Sequence, residues 1–281
     1  VEGGAKDLAA DQLPDGPAKP DVTPDQGLPS AWKLTPADAV VLSVTGFGTG
    51  GPNDLYAVGR GGAILHYDGK GWTVMTSPAK DDLYTVWGTG PTNLYAAGDG
   101  GVIKFDGKTW VKESTGYSSA SFRALWGTSK TIFAVGPSGT LYFKNSGYWD
   151  NDYFGPTDED LNAVWGVNET NVWAVGNHGT ILHCTGTCTL ASNWKIVPSG
   201  TASHLTGIWG SGPDDIFAVG LNGTILHWNG TEWTPQTSGT ASYFAGVWGT
   251  GGLDVFAVAH PIFKADESLF HWDGKTWSKM P

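Results

Sequence analysis

The chain has 281 residues, among them 42 glycines and 15 tryptophans, with 12% aromatic residues and a formal net charge of −11. That length supports a sizeable core, yet turn residues recur too often for a helical one. The negative charge excludes binding to nucleic acid by charge neutralisation, which needs lysine and arginine gathered along a backbone track, and no apolar run approaches the roughly 20 residues of a membrane-spanning helix.

Residues 1–31 carry Pro14, Pro17, Pro20, Pro24 and Pro29 among six acidic residues and almost no large apolar side chains. Such a stretch buries too little to offset the entropy of ordering. It reads as a flexible acidic linker or stalk, with a plain disordered tail as the alternative. The tetrapeptide AWKL at 31–34 resembles the end of a repeat, TWVK at 109–112. It is expected to help close the structure that follows, which would remove a free sheet edge. The last repeat already owns a comparable run at 276–280, so one of the two is displaced or becomes a fifth strand.

From residue 36 onward one unit recurs, seen most clearly in LTGIWGSGPDDIFAVGLNGTILHWNGTEW at 205–233. Its first tryptophan stands at Trp87, Trp126, Trp165, Trp209 and Trp248, with Thr45 in its place in the first copy, at intervals of 42, 39, 39, 44 and 39 residues. Each copy holds four short apolar runs separated by Gly, Pro, Asn and Asp, which predicts four strands and leaves no room for a helix. The pairs Asp68-Gly69, Asp106-Gly107, Asn229-Gly230 and Asp273-Gly274 predict type I′ hairpins between the third and fourth strands. A four-stranded sheet with two apolar faces must be covered on both sides, and radial stacking achieves this. The expectation is an all-β fold over 32–281: a six-bladed β-propeller with blades at about 36–79, 80–118, 119–157, 158–201, 202–240 and 241–281. Strands a to d run from the channel outwards, so the b-to-c turns and the d-to-a connections share one face.

The VWG, DDIFAVG, GTILHWNG and Trp pattern resembles the secreted bacterial β-propellers grouped loosely with BNR or Asp-box repeats, over residues 36–281. The resemblance implies the fold but no single activity, since that architecture hosts lectins, hydrolases, assembly factors and scaffolds. It departs from a true Asp-box, S-x-D-x-G-x-T-W, because Gly274 follows Asp273 directly ahead of Lys275-Thr276-Trp277. Sialidases of that group need three arginines on the substrate carboxylate, each offering a bidentate fork. Arg60 and Arg123 are the only arginines, so sialidase chemistry is excluded.

His66, His183, His227 and His271 recur on strand c of different blades, which spreads them around the ring; a repeated hydrogen bond inside each blade is the expected role. Trp72, Trp110, Trp194, Trp233 and Trp277 recur on strand d, and with the strand-a tryptophans they read as packing between blades. The alternative is a set of inter-blade pockets in which rings stack on sugars, a multivalent lectin. Cys184 and Cys188 span a tight turn and predict a disulfide, hence an oxidising, extracellular or cell-surface setting; a metal set of His178, His183, Cys184 and Cys188 is the weaker alternative. Asp150, Asp152, Asp158, Glu159 and Asp160 offer oxygens for calcium but lack the EF-hand order, so a solvated acidic loop is the competing reading. No other cofactor is expected. The sequons at Asn168, Asn222 and Asn229 are weak, two being the repeat's own turns.

The b-to-c turns carry a different residue in each blade: Arg60, Asp99, Ser138, His178, Asn222 and a longer loop with His260 and Lys264. Diversity on one rim of a constant scaffold is what a site for an asymmetric partner looks like. The sequence therefore reads as a secreted, non-enzymatic module that presents a glycan- or protein-binding surface. The alternatives are a structural subunit of an extracellular assembly, in which oligomers are expected, and a propeller hydrolase or lyase.

Overall fold

The computed structural model describes residues 40–46, 54–116, 120–151, 156–260 and 268–281. The acidic stretch 1–31, the AWKL segment, Asp152 and Lys264 lie outside the described residues. Strands pair in chain order into six four-stranded antiparallel sheets, which makes the chain a six-bladed β-propeller. Blade one comprises Val41–Gly46, Leu55–Gly59, Ile64–Tyr67 and Trp72–Val74; blade two comprises Leu83–Gly90, Asn93–Gly98, Gly101–Phe105 and Trp110–Lys112. Blade three follows with Ala124–Gly127, Thr131–Val135, Leu141–Asn145 and Tyr148–Asn151, and blade four with Leu161–Asn168, Asn171–Gly176, Ile181–Thr185 and Trp194–Ile196. Blade five is Leu205–Gly212, Asp215–Gly220, Ile225–Trp228 and Trp233–Pro235, and blade six is Tyr243–Gly251, Asp254–His260, Ser268–Trp272 and Trp277–Lys279. Each blade is thus built from its own four strands. No helix among the described residues is long and apolar enough to cross a membrane.

The expected turn chemistry is displaced. At Gly69, Gly107, Gly230 and Gly274 only the glycine has a left-handed φ, of 87°, 92°, 93° and 88°, whereas type I′ needs two such residues in succession. The Asp or Asn before it acts through its side chain: Asp68 Oδ1 accepts the N–H groups of Lys70 and Gly71 at 2.9 and 3.0 Å, an Asx turn. Type I′ geometry appears instead in the b-to-c turns. His178 and Gly179 have φ of 51° and 71°, and Thr180 N–H closes the turn on Asn177 O at 3.0 Å. It appears also at Ser146-Gly147, where glycine takes the second loop position. That hairpin leads into Tyr148–Asn151, which is blade three's outer strand. There Trp149 pairs with Lys144 as Trp110 pairs with Phe105.

Cores lie between blades. Five apolar clusters join each blade to the next from one to six, and Trp110, Trp194, Trp233 and Trp277 are buried in four of them. Near the channel a second device repeats. The strand-a tryptophan of one blade lies over the glycine of the next blade's VWG or IWG run, so a Cβ on Gly166, Gly210 or Gly249 would meet the ring tip of Trp126, Trp165 or Trp209 at 2.6–2.7 Å. Only glycine permits so close an approach. The boundary between blades six and one is looser. Val44 is 54% exposed, whereas Val86, Leu125, Val164 and Ile208 at the same position are 5–7% exposed, and Trp248 is 48% exposed.

The four strand-c histidines each bond within their own blade, as the repeat predicts. Nε2 of His66, His227 and His271 lies 2.6–2.7 Å from Asp54, Asp215 and Asp254, and that of His183 lies 2.9 Å from Asn171. Each ring also lies against the strand-b aromatic opposite, stacked at three of the four and closest at Trp173 and His183 with centroids 3.6 Å apart. Burial holds the His183 imidazole down to about 4, and its amide partner supplies no charge to counter that. Cys184 and Cys188 form the expected disulfide, which removes both from the metal set. His178 and His183 bond separately, to Glu159 and Asn171.

Candidate functional site at the channel mouth

Three positions of the repeat build one pocket, and each has a local cause. The first is the residue just before the buried apolar residue that opens each copy, Phe122, Leu161, Leu205 or Phe244: Ser121, Asp160, His204 and Tyr243. The second follows two residues later, where the pairing slips by one between Leu83 and Thr85, Leu161 and Ala163, and Leu205 and Gly207. The residue caught in that β-bulge has no partner across the ladder, so its side chain is turned into the channel. Tyr84, Asn162 and Thr206 occupy it, and Arg123 takes the matching place in blade three. The third is the first residue of the b-to-c turn: Asp99, Pro137, Asn177 and Leu221. Blades two to six together enclose about 640 Å3.

The predicted rim divides here. Asp99 lines the pocket, but Ser138, His178 and Asn222 stand one residue further along the turn and do not line it; neither does Arg60. In three blades the second turn residue also ties its own blade to the next. The N–H of Gly61, Ser138 and His178 donates to the next blade, to Asp82 Oδ1 at 2.8 Å, Asp160 Oδ1 at 2.8 Å and His204 Nδ1 at 3.2 Å. His260 closes strand b of blade six opposite Tyr243, with ring centroids 6.0 Å apart.

Arg123 is the pocket's cation. Its Nη2 donates to Asp160 Oδ2 at 2.8 Å and its Nη1 to Asn162 Oδ1 at 2.5 Å. Asn162 Nδ2 passes the chain on to Asn177 Oδ1 at 3.0 Å and Leu205 O at 2.8 Å. The Ser138 N–H, followed by the Arg123 guanidinium, holds the Asp160 carboxyl below its ordinary range. On the other side, Asp99 accepts from Tyr84 Oη at 2.7 Å and Ser121 Oγ at 2.9 Å. That bond pushes the Tyr84 hydroxyl up to about 12, so it stays a donor. Because His204 Nδ1 accepts from backbone, the neutral ring carries its proton on Nε2.

Asp160 is engaged by arginine, Glu159 by His178, and Asp150 pairs within blade three opposite Phe143. Among the described residues no three His, Cys, Asp or Glu side chains are placed to share a metal ion. The pocket residues Arg123, Asn162, Thr206 and His204 escaped the sequence reading. Their signal was present as the variable residues flanking each strand-a start, but for Asn162 and Thr206 a bulge is needed to turn the side chain inward, and the repeat's alternation does not reveal it.

No family model matches the sequence, and no curated protein matches it. Among solved structures the chain is similar to "YCF48 bound to D1 peptide", at 18% identity and a TM-score of 0.62 over 81% of this chain and 77% of that one. It is similar also to YCF48 from Cyanidioschyzon merolae, at 14% identity and 0.60 over 85% and 97%, and to the WD40 repeats of RRP9, at 9% and 0.70 over 87% and 80%. At such identities the likeness is one of fold, and on it the chain is a β-propeller repeat protein.

Proposed function

We propose that the chain is a secreted or cell-surface, non-enzymatic binding module whose channel mouth holds an extended segment of a protein partner. The observation that carries this reading is the alternation of donors and acceptors around one asymmetric pocket. Arg123 and the Nε2–H of His204 offer protons, while Asp99, Asp160 and Asn177 offer lone pairs, and a peptide main chain presents both in turn. Ion pairing of Arg123 by Asp160 favours a neutral polar ligand over an anion. Tyr84, Pro137, Leu221 and Tyr243 add apolar surface for side chains. One neighbour's title names a bound peptide, which supports the same ligand class. The disulfide supports the oxidising compartment. Six equivalent sugar pockets find less support, because the spaces between blades are filled by tryptophan and aliphatic side chains.

The test is selection of a displayed peptide library on the full chain, followed by calorimetric titration of the enriched peptides. Arg123→Met is expected to weaken binding by about tenfold or more, the loss of one or two hydrogen bonds to a charged group. Peptides that bind Arg123→Met as tightly as the parent would overturn the reading, as would a library without enrichment beside a glycan array with reproducible binding.

A further inference from the structure

On the opposite face, between blades two and three, the repeat is broken at two adjacent positions. Strand c of blades one, four, five and six places histidine against the strand-b aromatic, but blade two has Lys104 opposite Tyr95. One residue on, Tyr67, Phe105, Cys184, Trp228 and Trp272 occupy the position that blade three gives to Lys144. At three other boundaries that residue is a ring that packs on the previous blade's strand-b aromatic: Phe105 on Tyr56, Trp228 on Trp173 and Trp272 on Phe217. Lys144 instead sends its ammonium over Tyr95, 5.1 Å from the centroid, and Lys104 approaches the same ring at 5.5 Å. Where a ring would fill the gap, a polar pocket of about 400 Å3 remains.

We infer that this pocket is a binding site for an oxyanion of the phosphate or sulfate type, with Lys104 as its anchoring cation. The charges are arranged for it. Glu113 is the one carboxylate lining the pocket, and it is taken up by Lys144 and by Trp149 Nε1, which donates at 2.9 Å. Among the described residues no carboxylate pairs with Lys104. Lys130, whose ion pair with Glu169 spans 3.3 Å at an exposed edge, sits on the a-to-b turn that also brings Thr128 and Ser129 into the lining. Two ammonium groups and two hydroxyls then face one cavity, donors that suit an oxyanion as point charges. Retention of this cluster in a chain with 16 basic and 27 acidic residues costs packing that an aromatic ring would provide. The inference does not depend on the channel mouth, which lies on the other face.

The experiment is an NMR titration of 15N-labelled full chain with inorganic phosphate and, separately, sulfate, against chloride at matched ionic strength. Saturable shifts centred on Lys104, Thr128 and Ser129 are expected for at least one of the two, and which one saturates names the group. Lys104→Met should weaken that binding by about tenfold or more, as for loss of a charged hydrogen bond. Lys130→Gln, at an exposed site that tolerates change, should weaken it severalfold, and Lys112→Met, on an outer strand, should leave it unchanged. Shifts that never saturate, or that Lys104→Met and Lys130→Gln leave as in the parent, would overturn the assignment.

Discussion

Replacing Gly210 by alanine tests the contact that locks blade four to blade five. An added Cβ would sit 2.7 Å from the Trp165 ring tip and 2.9 Å from both Asp215 O and Ile216 Cγ1, inside any contact a real Cβ makes. The backbone atoms cannot yield cheaply, and the ring is held by its own blade. Overpacking of this kind costs about 1–3 kcal/mol. Gly212, two residues along the same strand, is the internal control, because a Cβ there meets nothing within 4 Å. Gly212→Ala should be neutral or stabilise by up to about 1 kcal/mol through loss of unfolded-state freedom. Urea unfolding followed by tryptophan fluorescence measures both. In a Trp165→Ala background the cost of Gly210→Ala should fall, and the difference is the coupling between ring and glycine. If Gly210→Ala and Gly212→Ala unfold within about 0.5 kcal/mol of each other, the interlock does not constrain the blades and the reasoning fails.

Burial of His183 and the short disulfide loop each set a further outcome. His183 should titrate near 4 by NMR, so its contribution to stability is full above the ordinary value of 6.5 and is lost as the pH falls from there towards 4. Asn171→Asp supplies the carboxylate that the other three histidine blades have, and should raise that pKa and reduce the loss on acidification; an unchanged titration would refute the role given to burial beside a neutral partner. The Cys184–Cys188 bridge closes a loop with a sequence separation of 4, for which loop entropy predicts about 2 kcal/mol. The turn is already held by Trp194 Nε1 on Cys188 O at 3.0 Å and Asn193 Nδ2 on Thr187 O at 2.9 Å. Reduction should therefore lower stability by that amount or less, without loss of the fold. Unfolding of the chain by mild reductant would show the bridge to be a larger constraint than its loop allows.

Repetition made the fold legible. Six copies of one apolar rhythm, punctuated by Gly, Asn and Asp, admit four strands each, and two-faced sheets have no stable arrangement except against one another. The histidines and tryptophans were legible for the same reason: a residue repeated in four or five of the blades points to the same environment each time, so its role is structural. The disulfide followed from spacing alone. Turn geometry was less so, because Asp68-Gly69 and Asn222-Gly223 look alike in sequence, yet only the second turn places both residues at left-handed φ. What separates them is the strand register on either side, a property of pairing rather than of the dipeptide. The binding face was decided at the tertiary level. Asp160, Asn162 and His204 lie 37, 39 and 81 residues beyond Arg123 in the chain, and a bulge must turn Asn162 toward the channel before it can meet the others. A bulge leaves no mark in apolar periodicity, since it shifts a side chain by one place at the start of the strand. Lys104 and Lys144 are the same lesson on the other face: in the chain they are two lysines forty residues apart, and only the stacking of blade on blade sets both ammonium groups over Tyr95.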